Sequence, residues 1–340
     1  MPRLTLRQAA DLSAAALAAS RIAPDTAAKV AAALVVAEAD GLSSHGLARL
    51  PIYARQAEVG KVDGFARPRL EHTASAAMRI DAGHGFAFPA IDLAIQEGCR
   101  VALEAGTAAA AIHRSHHAGV LGHHVEAAAD RGLVALAFAN TPAGIAPWGG
   151  RDAVFGTNPI AFAAPRRAAP PLVIDLSLSK VARGKIMLAQ QKGEAIPEGW
   201  ALDAQGRPTT DAEAALAGTM LPMGDAKGAA LALMVEVLAA ALGGANFAFE
   251  ASSVLDDRGN PPGIGQSFLF LSPQRLGGDA FGDRLEILLS AILNQPGARL
   301  PGQRRLAARA RAETEGIEIS ADLLTHIERR AGRSFEGESP

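Results

Sequence analysis

Between residues 77 and 138 short apolar runs alternate with longer, helix-patterned ones, and this alternation most constrains the fold. Ala77–Ile80 reads as a strand, Ala87–Ala105 as a helix and Ala108–Ile112 as a strand. Val120–Asp130 reads as a helix, and the continuous apolar run Leu133–Phe138 as a buried strand. Strands interleaved with helices indicate an α/β or mixed α+β core. Three helical patterns precede this region, over Leu6–Ser20, Pro24–Asp40 and Ser43–Gly60. Beyond it, strands are expected at Ile160–Ala164, Leu172–Ile174 and Ser267–Leu271. Helices are expected over Lys180–Gln191, Asp225–Ala241, Arg284–Leu293, Pro301–Gly316 and Asp322–Ala331, with a loop or hairpin over Gly193–Thr210. Between the strands lies TPAGIAPWGGRDAVFGTNP, residues 141–159, too rich in glycine and proline for regular structure. A long connection of that kind inside a folded unit is usually functional.

With 340 residues, 49% hydrophobic, the chain can bury a large core, which excludes a disordered or fibrous protein. The formal net charge of −2 gives no electrostatic case for nucleic acid, and basic residues group only locally, as at Arg304, Arg305, Arg309 and Arg311. A single cysteine, Cys99, excludes an internal disulfide framework and a Cys-based zinc cluster and fits a reducing compartment, so a cytoplasmic location is expected. Asp11 interrupts the Ala-rich N-terminal run, which reads as the first helix and not as a leader. Ala229–Ala245 is apolar but short and carries Glu236, so a buried helix is expected there and no membrane span.

Dinucleotide and nucleotide fingerprints are missing: there is no G-x-G-x-x-G after a strand and no G-x-x-x-x-G-K-[ST]. Gly83-His84-Gly85 and Gly263-Ile264-Gly265 are incomplete, and G-x-S-x-G is absent. Histidine is the strongest local signal. Five of the nine histidines lie in HRSHHAGVLGHH, residues 113–124. Three readings stand side by side: a metal site, helix caps and surface histidines, or polar contacts to a small molecule where a strand passes into a helix. No H-E-x-x-H occurs, and Glu126 is the only acid close by, so no metal is expected.

Ser44-His45-Gly46 offers a general acid or base near neutral pH, and equally an incidental histidine at a helix start. Arg49 follows His45 by four residues, so both side chains reach one ligand if the segment is helical, and a guanidinium suits a carboxylate. Asp175 closes the strand LVID and precedes Ser177, Ser179 and Lys180; it reads either as an acid facing a cleft or as a helix cap. Arg183-Gly184-Lys185 and Asp225-Ala226-Lys227-Gly228 put cations near helix starts, against the helix dipole, where a bound anion or plain solvation accounts for them.

Taken together, ADGLSSHGLARLPIYARQAEVGKVD, the stretch from SHHAGVLGHH through FGTNPIAFAAPR, LVIDLSLSKVARGKIMLAQQKGEAIPEGWALDAQGRPTTD and LPMGDAKGAALALMVEVLAA resemble the malate/L-lactate dehydrogenase family that lacks a Rossmann domain. The resemblance runs from about residue 5 to 310. It implies a mixed α/β (α+β) fold: a non-Rossmann NAD(P)-binding, largely antiparallel mixed sheet flanked by helices, with a helical part from both termini. The corresponding division is residues 1–75 with 280–340 as the helical substrate and dimerisation part, and residues 76–279 as the NAD(P)-binding part. It further implies a hydride transfer between NADPH or NADH, NADP being favoured, and C2 of a small 2-hydroxy or 2-oxo carboxylate, or of a cyclic imino acid.

The quoted phrases look most like the sulfolactate and the pyrroline/piperideine-2-carboxylate members of the family. A homodimer is implied. His45 would be the proton donor beside Ser44, His117 would share the site and Arg49 would hold the substrate carboxylate. Cofactor contacts would come from Thr141, Gly156, Thr157, Asn158, Pro159, Asp175, Leu176, Ser177, Ser179, Lys227, Gly302 and Arg304. Ala118 stands where the family usually has an aromatic, and His123 and His124 follow Gly122, which alters the expected pocket. Outside this class, a His-rich metallohydrolase or a non-catalytic binding protein remain as alternatives.

Overall fold

Seven strands form one mixed sheet. Its order in space is Arg69–Ala74, Ala77–Asp81, Thr107–Ser115, Ile264–Leu271, Val134–Ala139, Ile160–Ala164 and Leu172–Leu176. In this computed structural model, which describes residues 1–333, all neighbouring strands of that sheet run antiparallel except Ala77–Asp81 against Thr107–Ser115. A parallel pair needs a crossover, and the helix Ala87–Ala105 provides it. Gly106 ends that helix in the left-handed region at φ 89°, its N–H donated to the Ala102 carbonyl, so the chain turns directly into the next strand.

The inner strands bury alternate small residues: Ala108, Ala110 and Ile112; Ala135, Ala137 and Ala139; Ala161 and Ala163. That period of two lets the helices Ala87–Ala105 and Leu121–Ala129 pack against one face. Phe268 and Phe270 stack beside them, and a side chain at Gly98 would overlap the Phe270 ring, so glycine there sets how closely helix and sheet approach.

A second core is helical and joins both ends of the chain. Leu12, Leu17, Val30, Leu34 and Tyr53 pack with Ile317, Leu324 and Ile327, and Arg3–Leu4 pairs antiparallel with Ile317–Glu318. The first helix, Leu6–Ala18, starts in a Thr5/Gln8 capping box. A third core lies beneath residues 141–159, where Ile145 and Phe155 meet Leu178, Met220 and Val235. Residues 334–340 of the expected C-terminal helical part lie outside the described residues. Among the described residues no helix is long and apolar enough to cross a membrane.

Several expectations need correction. Ser43–Gly60 is not one helix: two short 3-10 turns, Ser43–His45 and Leu47–Arg49, precede an α-helix over Leu50–Glu58. Glu38 causes the break, since its carboxylate accepts from Ser43 Oγ at 2.5 Å and from the Leu47 N–H at 2.9 Å, and a side chain at Gly46 would collide with it. The helix expected from Lys180 begins at Arg183, because Ser177, Ser179 and the Val181 carbonyl form their own turn. Asp225–Ala241 is α-helical over Ala226–Val235 and widens to a π-turn over Glu236–Ala241. There the buried Glu236 carboxylate accepts from Asn140, Asn158 and the Ala248 N–H. The Leu172 strand runs on through Asp175 to Leu176.

Candidate active site

His45 and His117 come from different cores and meet face to face, with ring centroids 5.6 Å apart and planes 30° from parallel. His45 closes the first 3-10 turn, and Ser44 Oγ lies 3.0 Å from its Nδ1. Arg49 folds back to donate Nε–H to the Ser44 carbonyl at 2.7 Å, and no other hydrogen bond of its guanidinium occurs among the described residues. His117 lies two residues past the Thr107–Ser115 strand, and Gln266 on the neighbouring strand ties that exit by donating to the His116 carbonyl. Gly119 then turns at φ 68°, where a side chain would press on Phe88. The Tyr53 hydroxyl lies 2.6 Å from His117 Nδ1.

The site favours neutral imidazoles. Burial, then the Arg49 charge, pulls His45 down to about 4. Burial and Arg49 hold His117 well below the usual histidine range. Burial pushes the Tyr53 phenol up to about 12. A neutral imidazole can take a proton from a hydroxyl or, once protonated, return it to a carbonyl oxygen.

The other histidines of residues 113–124 disperse. His116 is enclosed by Tyr53 and Phe86, and among the described residues neither ring nitrogen has a hydrogen-bond partner. His124 reaches the Ala118 carbonyl, and His113 stays at the strand end. His123 Nε2 lies 2.7 Å from Asp40, whose fully buried carboxylate also pairs with Arg305 and Arg309. Among the described residues no three His, Cys, Asp or Glu side chains are grouped to hold a metal ion.

Most residues expected at the cofactor lie on segments tied together by hydrogen bonds. Thr157 N–H donates to Thr141 Oγ1 at 2.9 Å, Leu178 N–H to the Thr157 carbonyl at 2.8 Å and Met223 N–H to the Leu178 carbonyl at 2.8 Å. These bonds join residues 141, 156–159, 175–179 and the turn before Lys227. Asp175 accepts from the Gly122 N–H at 2.7 Å. The residue is exposed at the strand end, and burial of its carboxyl raises it above the usual range.

Ser177 and Ser179 hydroxyls pair at 2.8 Å, and Leu176 is exposed. The Asn158 amide is fully buried and bonded to Glu236 and the Ala232 carbonyl, and the Pro159 carbonyl accepts from Ala139, so both hold the loop's shape. Gly302 caps the helix Gln303–Glu315 beside the Val173 carbonyl, and Arg304 is exposed.

A dinucleotide's phosphates would find suitable partners along this segment. Lys180, Lys185 and Lys227 border it without a carboxylate partner among the described residues, and Gly184 in the first turn of its helix leaves open space. Gly156 lies so near Thr141 that a side chain would fill the loop's narrow bend. Cations and an open helix start suit phosphate groups.

Tyr53 and the Asp40–Glu126–Arg305–Arg309 cluster are absent from the sequence-based site. One signal pointed to Tyr53: it is the only tyrosine in the chain and follows Arg49 by four residues.

The family model described as malate/L-lactate dehydrogenase matches residues 4–328. A (2R)-3-sulfolactate dehydrogenase (NADP(+)) of Chromohalobacter salexigens is 53% identical over 324 residues, 95% of this chain and 96% of that protein. A Δ1-pyrroline-2-carboxylate/Δ1-piperideine-2-carboxylate reductase of Pseudomonas putida is 40% identical over 87% of each chain. The crystal structure of Δ1-piperideine-2-carboxylate reductase from Pseudomonas syringae pvar. tomato superposes with a TM-score of 0.92 at 37% identity, covering 97% of this chain and all of that one.

Proposed function

The chain belongs to the malate/L-lactate dehydrogenase family, and from that premise we propose that it interconverts a 3-sulfolactate-type 2-hydroxy acid and its 2-oxo acid with NADP. It is an NAD(P)-dependent oxidoreductase of small carboxylates. The observation that carries the site assignment is the His45–His117 pair beside a guanidinium whose terminal nitrogens lack partners among the described residues.

When bound, the nicotinamide supplies or accepts the hydride at C2. Thr141, Gly156, Thr157 and the 175–179 segment would hold the dinucleotide, with Lys227 at its phosphates and Gly302 and Arg304 at the edge of the surface. Asn158 and Pro159 act through the loop's shape. Arg49 grips the substrate carboxylate with its free fork, which orients C2. His45, steadied by Ser44, gives a proton to the substrate oxygen in reduction and takes it back in oxidation. His117 holds the same oxygen by hydrogen bonding.

The imino acid reading stands second, supported by the reductases at 40% identity; there His45 would serve a ring nitrogen instead of an oxygen. A homodimer is part of the proposal, with the exposed Leu276, Ile287 and Leu288 near the chain's closing helices as apolar surface for it. The free, buried Cys99 supports a cytoplasmic setting.

The deciding experiment follows nicotinamide absorbance with NADPH and NADH against sulfopyruvate, pyruvate, oxaloacetate, pyrroline-2-carboxylate and piperideine-2-carboxylate. Fastest turnover of sulfopyruvate with NADPH is expected, and His45→Ala should abolish it while NADPH still binds. Preference for a cyclic imine would replace the substrate assignment. Unchanged turnover in His45→Ala would remove His45 from the chemistry.

A further inference from the structure

We propose that Tyr53 is the positioning residue that fixes the tautomer of His117, so that His117 presents an Nε2–H donor to the substrate oxygen and leaves proton exchange to His45. The argument starts from hydrogen-bond accounting. Tyr53 is fully buried and His117 is 8% exposed, and their contact is 2.6 Å from Oη to Nδ1. Among the described residues the hydroxyl has no other hydrogen-bond partner. If Nδ1 carried the hydrogen and donated it to the phenol oxygen, the phenolic hydrogen would be buried without an acceptor. If the phenol donates, the buried hydroxyl hydrogen is satisfied and the imidazole's own hydrogen lies on Nε2.

The surroundings agree with that direction. Burial keeps the phenol protonated through the working range, so it has a hydrogen to give. Burial and the Arg49 charge keep the imidazole neutral, so it carries one hydrogen only. With Nδ1 accepting, that hydrogen sits on Nε2. The phenol cannot readily turn elsewhere, because Phe86 packs 5.6 Å and His116 5.5 Å from its ring.

His45 is held differently. Its Nδ1 faces Ser44 Oγ at 3.0 Å, and that hydroxyl is exposed and can rotate to donate or to accept. His45 can therefore change protonation without stranding a neighbour, whereas His117 cannot. Two stacked histidines thus have separate duties: one is a fixed donor, the other exchanges the proton. The catalytic duty of His117 rests on the function proposed above; its tautomer does not.

The test uses the full chain labelled with 15N-histidine. Long-range 1H–15N correlations report which ring nitrogen carries hydrogen, and the His117 signals are identified by their loss in His117→Asn. The wild-type protein should show His117 protonated at Nε2. Tyr53→Phe keeps the buried ring and should give a mixture of tautomers, with kcat lower by about tenfold or more and the KM for NADPH within about twofold. A wild-type His117 protonated at Nδ1 would overturn the proposal, and so would an unchanged tautomer in Tyr53→Phe. The tautomer readout needs no turnover, and its wild-type arm does not require Tyr53→Phe to fold. If the tautomer is as expected but His117→Asn keeps full turnover, the site reading fails and the tautomer assignment stands.

Discussion

Asp40 and Arg309 form a two-pronged pair across most of the chain, with Nε–H to Oδ1 at 2.7 Å and Nη2–H to Oδ2 at 2.9 Å. The Asp40 carboxylate is fully buried and also meets Arg305 and His123, while Glu126 takes the remaining guanidinium donors. The cluster fastens the helix Gln303–Glu315 to the end of the helix that leads into the His45 turn, and to the helix Leu121–Ala129. Removing one charge leaves the others buried and unbalanced. Asp40→Asn should therefore cost about 3–5 kcal/mol in urea unfolding, and a loss below about 1 kcal/mol would contradict the role given to the pair. These partners hold the Asp40 carboxyl well below its ordinary range. Its contribution to stability is thus present above about pH 4 and disappears as pH falls further.

The pH dependence of turnover follows from His45. In the free protein it titrates at about 4 and is neutral near pH 7, ready to accept a proton from a hydroxy acid. The kcat/KM for oxidation should stay level from about pH 8 down to about 5 and fall about tenfold per unit below about 4. Reduction consumes the proton that His45 carries, so its kcat/KM should fall about tenfold per unit on raising pH from 6 to 8. The balanced reaction fixes the difference between the two slopes at one decade per unit. The residue fixes where the break falls. A break between about pH 6 and 7 in oxidation would mean that the histidine titrates at its ordinary value.

What the sequence revealed depended on how local the information was. Ala87–Ala105 is readable because its apolar positions recur with helical period and a glycine stops it. The motifs point to His45, Arg49 and His117, and the structure brings the two histidines together although His117 lies 72 positions on from His45. Arg69–Ala74 is not legible in the sequence because an edge strand with both faces largely open carries no apolar alternation. The break between His45 and Leu47 is not legible there because Glu38, on the preceding helix, captures the Leu47 N–H. Nothing near Tyr53 announces His117, and nothing near Asp40 announces Arg309, which lies 269 positions on. Such contacts arise only when two cores dock.

Arg49 gives a test of substrate recognition. With Nε–H donated to the Ser44 carbonyl, the planar fork is held by one edge and its terminal nitrogens have no hydrogen-bond partner among the described residues. Arg49→Lys keeps the charge but loses the two-point grip on a carboxylate. We expect the KM for the 2-oxo acid to rise about 10- to 100-fold, with little change in the KM for NADPH. A rise shared equally by both substrates would point to general damage of the His45 turn instead.

Gly156 tests the cofactor loop. A side chain there would lie 2.1 Å from the Thr141 carbonyl oxygen and 2.2 Å from Thr141 Oγ1, and the carbonyl is backbone that cannot rotate aside. Thr141 Oγ1 also receives the Thr157 N–H at 2.9 Å, so pushing Thr141 away breaks the bond that joins the two sides of the loop. Asn158, buried beneath and bonded to Glu236, prevents the loop from yielding downward. Gly156→Ala should therefore cost about 1–3 kcal/mol of stability. If residues 141 and 156–159 carry the dinucleotide, the same variant should raise the KM for NADPH by about tenfold or more at temperatures where it remains folded, while the KM for the carboxylate changes little. Tight NADPH binding in a destabilised Gly156→Ala protein would separate the loop's packing from cofactor recognition and move the dinucleotide to another surface.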